Sequence, residues 1–337
     1  MHKNWLLYII LFKNRSDGGD FLIGKAFSET HYLDALDRMI RRLSTLNPKR
    51  EALIDEYNRI QAGDFGEKVV IEVLEQLQLP YHFYVFHNLS LLLETRVQFD
   101  VLFLTAYYII ILEVKNIKGT VVLRQNPSQL VRTLPNGEVN VFNSPEPQLE
   151  EYMYQLKNFF LNKGLNIPIY GAIVFPFTSS FIEQNSNKTT ILRKNELKSF
   201  IRNISVNTKS ITDNDLESCK NYFLSHHKDF DPYPLIDRYN ILRKDILNGV
   251  FCEKCGKVGM RRIPRYWVCP SCNHKSTDAH KKAIYDYLQI INNSITNTEC
   301  REFLGIRNPN QSYRMIQNMN LIRVGKNRCA KYMLHDR

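Results

Sequence analysis

Two groups of residues in this chain have the types and spacing to do chemistry. The first is Glu113-Val114-Lys115, which closes an apolar run, together with Gln98-Phe99-Asp100 upstream. Side chains alternate along an extended strand, so Glu113 and Lys115 share one face while Val114 points to the other. Asp100 and Glu113 on neighbouring strands are oxygen donors suited to a hard divalent cation, Mg²⁺ or Mn²⁺, with positions left for water and a phosphate oxygen. Lys115 beside such an ion would orient or deprotonate an attacking water and offset charge on the phosphate. These groups suit metal-assisted phosphodiester hydrolysis. A lone Glu-x-Lys is usually a solvated ion pair worth little, but here an Asp lies thirteen residues upstream and a Gly66-Glu67 pair precedes it.

The second group is Cys252-Glu253-Lys254-Cys255 and Cys269-Pro270-Ser271-Cys272, two CxxC pairs separated by thirteen residues. Such pairs place four thiolates around one zinc ion, and Gly256 just past the first pair permits the tight turn a knuckle needs. A closed four-thiolate shell leaves no open position, so the Zn²⁺ would be structural and would take the place of a core this short segment cannot build.

The elements that must position these groups can be read from periodicity. Leu33, Leu36, Met39, Ile40 and Leu43 recur at helical spacing, and after Pro48 a second helix runs through Leu53, Tyr57 and Ile60. Gly63-Asp64-Phe65-Gly66-Glu67 opens a further helix that Pro80 stops. Three β-like runs follow, His82 to Leu93, Val97 to Thr105 and Tyr107 to Val114, the last apolar enough to be a central strand covered on both faces. A strand-and-turn excursion over 116–141 leads to a helix starting at Pro147, and then to a buried strand from Ile167. The pattern is α/β with a mixed sheet flanked by helices.

In this order the residues resemble the nuclease-related domain family, a branch of the PD-(D/E)xK nuclease superfamily with a restriction-endonuclease-like fold. The resemblance rests on Gly66-Glu67, Gln98-Phe99-Asp100, Glu113-Val114-Lys115-Asn116 with Gly119, and Pro145-Glu146-Pro147-Gln148, and it covers about residues 61–180. It implies that Asp100 and Glu113 are metal ligands, that Lys115 is the catalytic lysine, and that Glu67 and Gln148 assist. Ser144 stands where the family has Asn before the proline. Without catalysis, the same residues would describe a retired nuclease fold serving as a DNA-binding regulator or scaffold.

Charge points the same way. Of the net +11, residues 250–337 carry +10, from 16 Lys/Arg against 6 Asp/Glu. A polyanion is the natural partner of such a field, double-stranded DNA above all. After the cysteines, a helix over 279–291, a helix capped by Thr296 with Glu299, a third from about Gln311 to Met319, and a hairpin from Leu321 to Met333 follow the order of a winged helix-turn-helix. The third helix would offer Asn310, Gln311, Ser312, Tyr313 and Arg314 to the major groove, and Arg323, Lys326, Arg328 and Lys331 on the wing would meet phosphates. The divisions expected are a helical lead-in (1–60), the α/β domain (61–180), a linker (181–249), the zinc ribbon (250–276) and the winged-helix-like segment (277–337). Seven cysteines with no disulfide pattern fit the cytoplasm. The apolar run Trp5 to Phe12 is too short to span a membrane. Cutting both strands of a duplex would favour a homodimer.

Overall fold

The computed structural model describes residues 21–27, 31–184, 188–326 and 329–335; the run Trp5 to Phe12 and Arg328 lie outside them. The chain forms two compact units, Met1–Glu29 with Gln61–Asp229, and Thr30–Ile60 with Phe230–Arg337. Among the described residues no helix is long and apolar enough to cross a membrane.

The first unit is built on a six-stranded mixed sheet. Strands β2 (Phe83–Leu92), β3 (Arg96–Thr105) and β4 (Ile109–Val114) form an antiparallel meander. A parallel strand flanks it at one edge, β1 (Phe21–Lys25) against β2. At the other edge β8 (Ile169–Phe175) runs parallel to β4 and β10 (Thr190–Arg193) parallel to β8. Every residue of β4 is buried because both faces are covered. Ile109 and Ile111 share a core with Leu149, Leu156 and Phe160 of helix α3 (Pro145–Asn162), while Ile110 and Leu112 pack with Val70 and Leu74. Each such buried side chain contributes about 1.5–3 kcal/mol, which makes this the most firmly fixed strand in the unit. The excursion after β4 is a second sheet, β5 (Gly119–Arg124), β6 (Gln129–Thr133) and β7 (Val139–Asn143), completed by β9 (Ser180–Gln184) alongside β5.

Helices α1 (His31–Arg42) and α2 (Arg50–Glu75) depart from the sequence expectation. No new helix opens at Gly63, because α2 runs without a break through both Gly63 and Gly66. Nor is the N-terminal segment a separate lead-in. Leu36, Met39 and Ile40 of α1 share one core with Ala283, Ile284 and Leu288 in the second unit. Arg42 is fully buried there, donating from Nε and Nη2 to Asp286 at 2.9 and 2.6 Å. Likewise 181–249 is not a linker: β9 and β10 complete the two sheets, and α4 (Leu197–Arg202) and α5 (Asp213–His226) bury Leu197, Ile201, Leu216 and Phe223 in the first unit's cores. A four-residue parallel edge strand and a six-residue helix are too short to stand out in an Asn/Ser/Lys-rich stretch.

In the second unit a short helix, α6 (Leu235–Arg238), leads to a small three-stranded sheet, β11 (Arg261–Arg262), β12 (Trp267–Val268) and β13 (Lys275–Ser276). Beyond it α7 (Ala279–Asp286) continues as a wider turn through Ile291. Then come β14 (Ile295–Thr296), α8 (Asn297–Leu304), α9 (Pro309–Gln317), β15 (Leu321–Val324) and β16 (Lys331–Leu334), with sheet order β14-β16-β15. Thr296 and Glu299 form a complete capping box.

Candidate functional site

The ladder between β3 and β4 ends at the pair Val101 and Leu112. One step further in the same register stand Asp100 and Glu113, opposite each other and so on one face. Where the pairing stops, Asp100 Oδ2 accepts a hydrogen bond from the Val114 backbone N–H at 2.8 Å. On its other side β4 stays held, with Glu113 and Val114 paired to Ile173 and Val174 of β8 and the Lys115 N–H donating to the Val174 carbonyl at 2.9 Å. Glu113 is therefore fixed by a strand still held by β8, and Asp100 lies on one that has parted from β4 but stays paired to β2 on either side of it. Lys115 Nζ donates to Glu113 Oε1 at 2.7 Å, as expected for residues on one face. Glu113 is buried, and its Oε2 finds no hydrogen-bond partner among the described residues.

Glu67 is brought to the same place by α2. It lies deep within the helix, so the helix dipole gives it no support there. Its Oε2 lies 2.7 Å from His87 Nε2, a buried histidine on β2. Gly66 makes the approach feasible: a Cβ there would stand 2.9 Å from Asn116 Cβ and 3.4 Å from Pro176 Cγ, and Asn116 is tied to α2 through Nδ2 and the Ala62 carbonyl at 2.7 Å. Burial, then the charges of Asp64 and Glu113, push Glu67 up to about 8. Burial, then the charges of Glu113 and Glu67, raise Asp100 well above the usual carboxylate range. Lys115 is raised even though burial acts the other way, by the charges of Glu113 and Asp100. Three carboxylates thus stand within reach of one another's charge beside Lys115, and burial with the neighbouring acids disfavours ionisation of Glu67 and Asp100. All-oxygen donors, mutual repulsion and an orphaned carboxylate oxygen are what a hard divalent cation would relieve.

With that geometry in place, residues 62–176 match the model of the nuclease-related domain. They form a nuclease-related domain. No curated protein and no solved structure matches the chain.

Within the nuclease-related domain, Gln148 lies in the first turns of α3, whose N-cap is Ser144, its side chain accepting from the Glu146 N–H. Gln148 lies near the Tyr152 hydroxyl, and burial, then the charge of Glu113, raise Tyr152, so Gln148 stands at the edge of the carboxylate group. Sequence reasoning missed Tyr152 and His87. A lone histidine in an aromatic strand has no periodic signature, and its partner Glu67 is known only once α2 is placed. It also missed Lys25, whose Nζ donates to the His87 and Asn88 carbonyls at 3.1 and 2.9 Å, beside the left-handed Asn88 (φ 49°) that faces Asp100 across β2 and β3.

The four cysteines of the second unit converge as their spacing requires. Their sulfurs all lie within 4.8 Å of one another, with Cys252–Cys272 and Cys255–Cys269 each at 3.6 Å. A tetrahedral zinc with bonds of about 2.3 Å needs sulfurs about 3.8 Å apart, so the cluster fits a structural Zn²⁺. The two knuckles are built alike. Gly256 (φ 69°) donates to the Cys252 carbonyl and Asn273 (φ 56°) to the Cys269 carbonyl, at 2.8 and 2.9 Å. Asn273, a residue type that tolerates this conformation, does for the second pair what the glycine does for the first.

Of the surface residues expected on α9 and the hairpin, Tyr313, Arg314, Arg323, Lys326 and Lys331 are exposed and Gln311 is half-exposed. Ser312 corrects the expectation. It is fully buried, its hydroxyl bonded to Asn297 Oδ1 and the Pro309 carbonyl, and it holds α9 against α8.

Proposed function

We propose that the protein is a metal-dependent nuclease that hydrolyses DNA phosphodiester bonds, with the nuclease-related domain cutting and the second unit holding the duplex. The observation that carries this reading is the convergence of Glu67, Asp100, Glu113 and Lys115 where β3 and β4 part. Asp100 and Glu113 are the residues to hold Mg²⁺ or Mn²⁺, which when bound would make a coordinated water more acidic and draw charge from a phosphate oxygen. Lys115, anchored through Glu113 Oε1, keeps a positive ammonium beside the carboxylates and orients the attacking water or a phosphate oxygen. Glu67, braced by His87, fixes the far side of the group, and Gln148 borders it through Tyr152. Hydrolysis adds water across one P–O ester bond, leaving a phosphate monoester and a hydroxyl.

In the second unit the order helix, strand, helix, helix, strand, strand supports a winged helix, with half-exposed Gln311 and exposed Tyr313 and Arg314 for base edges and Arg323, Lys326 and Lys331 for phosphates. Four of the seven cysteines gather as a zinc-type cluster and none is joined in a disulfide, a usage that fits a reducing compartment such as the cytosol. The test is to incubate the purified chain with supercoiled and linear DNA and Mg²⁺ or Mn²⁺, beside Lys115→Ala and Glu113→Gln. The wild type cuts, and each variant is slower by about 10²-fold or more. Equal cutting by wild type and variants, or no cutting of any DNA, refutes the reading.

A further inference from the structure

The exposed apolar surface beside the carboxylates is aromatic. Phe65, the residue before Gly66, is 54% exposed, and its ring stacks on Phe177 with centroids 5.4 Å apart and planes 10° from parallel. An exposed phenylalanine in a helix interior adds nothing to helix propensity and buries little. Phe177 follows β8, and its carbonyl is clamped by Arg193 Nη1 at 2.6 Å, so the backbone beneath the pair is held in place.

The pair stands next to the candidate site in the order of the sheet. Asp100 comes from β3, Glu113 from β4 with Lys115 just past its end, and Phe177 follows β8, three consecutive strands. Neighbouring strands lie about 5 Å apart, and continuing the Val114–Val174 register sets Phe177 opposite Ile117, one strand across from Lys115 and two residues farther along. Two connections run side by side here, 115–118 and 176–179. They are tied at one end by Lys115 N–H to the Val174 carbonyl (2.9 Å) and at the other by Gly119 N–H to the Ser179 carbonyl (3.3 Å). One carries Lys115 and the exposed Lys118. The other carries Phe177 and leads to Phe181, 67% exposed. Cations along one edge and rings along the other are the make-up of a groove that follows a single strand, phosphates on the lysines and bases on the rings. A base inside a duplex has both faces covered by its neighbours, so only one that has left the stack can use a ring as a platform.

We infer that Phe65 and Phe177 form a stacking platform for an unpaired DNA base next to the scissile phosphate, so that frayed, flapped or single-stranded DNA is cut in preference to intact duplex. This rests on the nuclease reading above, and the test separates the two. Cleavage of one sequence is compared as blunt duplex, flapped duplex and single strand, for full-length wild type, Phe65→Ala, Phe65→Leu and Phe65→Tyr, with thermal melts to verify folding. In parallel, 2-aminopurine is placed at successive positions of the single strand, and its quenching is read on binding to Glu113→Gln and Glu113→Gln/Phe65→Ala. Phe65→Ala and Phe65→Leu lose about 5- to 150-fold on unpaired substrates, and less than about twofold on blunt duplex, while Phe65→Tyr retains wild-type rates. Quenching occurs at a base beside the cut position and vanishes without Phe65. Equal losses on paired and unpaired DNA, or wild-type rates for Phe65→Leu, overturn the platform. If the wild type cuts nothing, the nuclease reading fails, and the quenching alone decides: Phe65-dependent quenching upholds the platform, and its absence overturns it.

Discussion

Replacing Gly66 by alanine tests whether the close approach of α2 to the end of β4 builds the site. Alanine in a helix interior gains about 1 kcal/mol over glycine. Against that, the new Cβ would stand 2.9 Å from Asn116 Cβ, an atom fixed to the backbone that no rotamer change can move aside. Overpacking of this kind costs about 1–3 kcal/mol, so the net loss of stability is at most about 2 kcal/mol and the unit still folds. The site fares worse, because relief requires α2 or Asn116 to shift by tenths of an ångström and Glu67 is the next residue. Misplacement approaching 1 Å can cost about 10²-fold in rate. Gly66→Ala is therefore expected to melt close to wild type and to cleave DNA far more slowly. Asn116→Gly removes the clashing atom, at the loss of the 2.7 Å bond to the Ala62 carbonyl. The double variant should recover activity relative to Gly66→Ala, a coupling readable in a double-mutant cycle. Full activity in Gly66→Ala, or strictly additive losses in the double variant, would refute the reasoning.

Asp286→Ala should destabilise the second unit by about 3–5 kcal/mol in urea denaturation, because it leaves Arg42 buried and charged with no counter-ion, whereas Arg42→Met/Asp286→Leu recovers most of the loss. Elemental analysis should find zinc in equimolar amount, and chelation should unfold the ribbon; zinc-free protein with four freely reacting thiols would exclude it. His280 accepts from Trp267 Nε1 at 3.2 Å, and burial, then the charges of Arg262 and Lys281, hold its pKa at about 4 against an ordinary 6.5. The unfolded chain takes up that proton first, so about 3 kcal/mol present above about pH 6.5 is lost as pH falls toward 4. An NMR titration should show a neutral Nε2–H imidazole at about pH 5, and a charged ring at about pH 6 would contradict the contact. Asp100→Asn should raise the melting temperature of the metal-free protein while abolishing cleavage, since it removes a carboxylate whose ionisation its neighbours oppose; a lower melting temperature would count against the repulsion.

What could be read from the sequence was whatever local periodicity encodes. Alternation along Ile109 to Lys115 identifies a covered central strand with Glu113 and Lys115 on one face, and the two are in contact. The CxxC spacing and Gly256 give one knuckle, and Thr296 with Glu299 gives a cap. Long-range matters were not legible. Helix α1 shows an apolar stripe but not the helix that covers it, and nothing local marks Arg42 as buried until Asp286, 244 positions away, is placed beside it. Gly63 and Gly66 read as helix openings because glycine disfavours helix interiors. The structure keeps α2 continuous through them because one of those glycines is where α2 meets Asn116. The exposed face of α9 was drawn too broadly for a related reason, since Ser312 looks like any polar surface residue until Asn297 is found beneath it.

The carboxylate group is a burden on the fold that carries it. Glu67, Asp100 and Glu113 are pressed together by three elements that have independent reasons to be where they are: α2 through Val70 and Leu74, β4 through Leu112 and its pairing to β8, and β3 through Val101 and Phe103. Because the apolar residues next to each acid fix the backbone, the acids cannot separate without disturbing the core, and the electrostatic cost is borne by burial a few residues away. The same logic accounts for where the site lies. Inside the β3 and β4 ladder the Val114 N–H would be committed to a strand partner. Where the pairing stops, that donor is left for Asp100. Charge is concentrated where β3 and β4 have parted while each is still held by its other neighbour, β3 by β2 and β4 by β8.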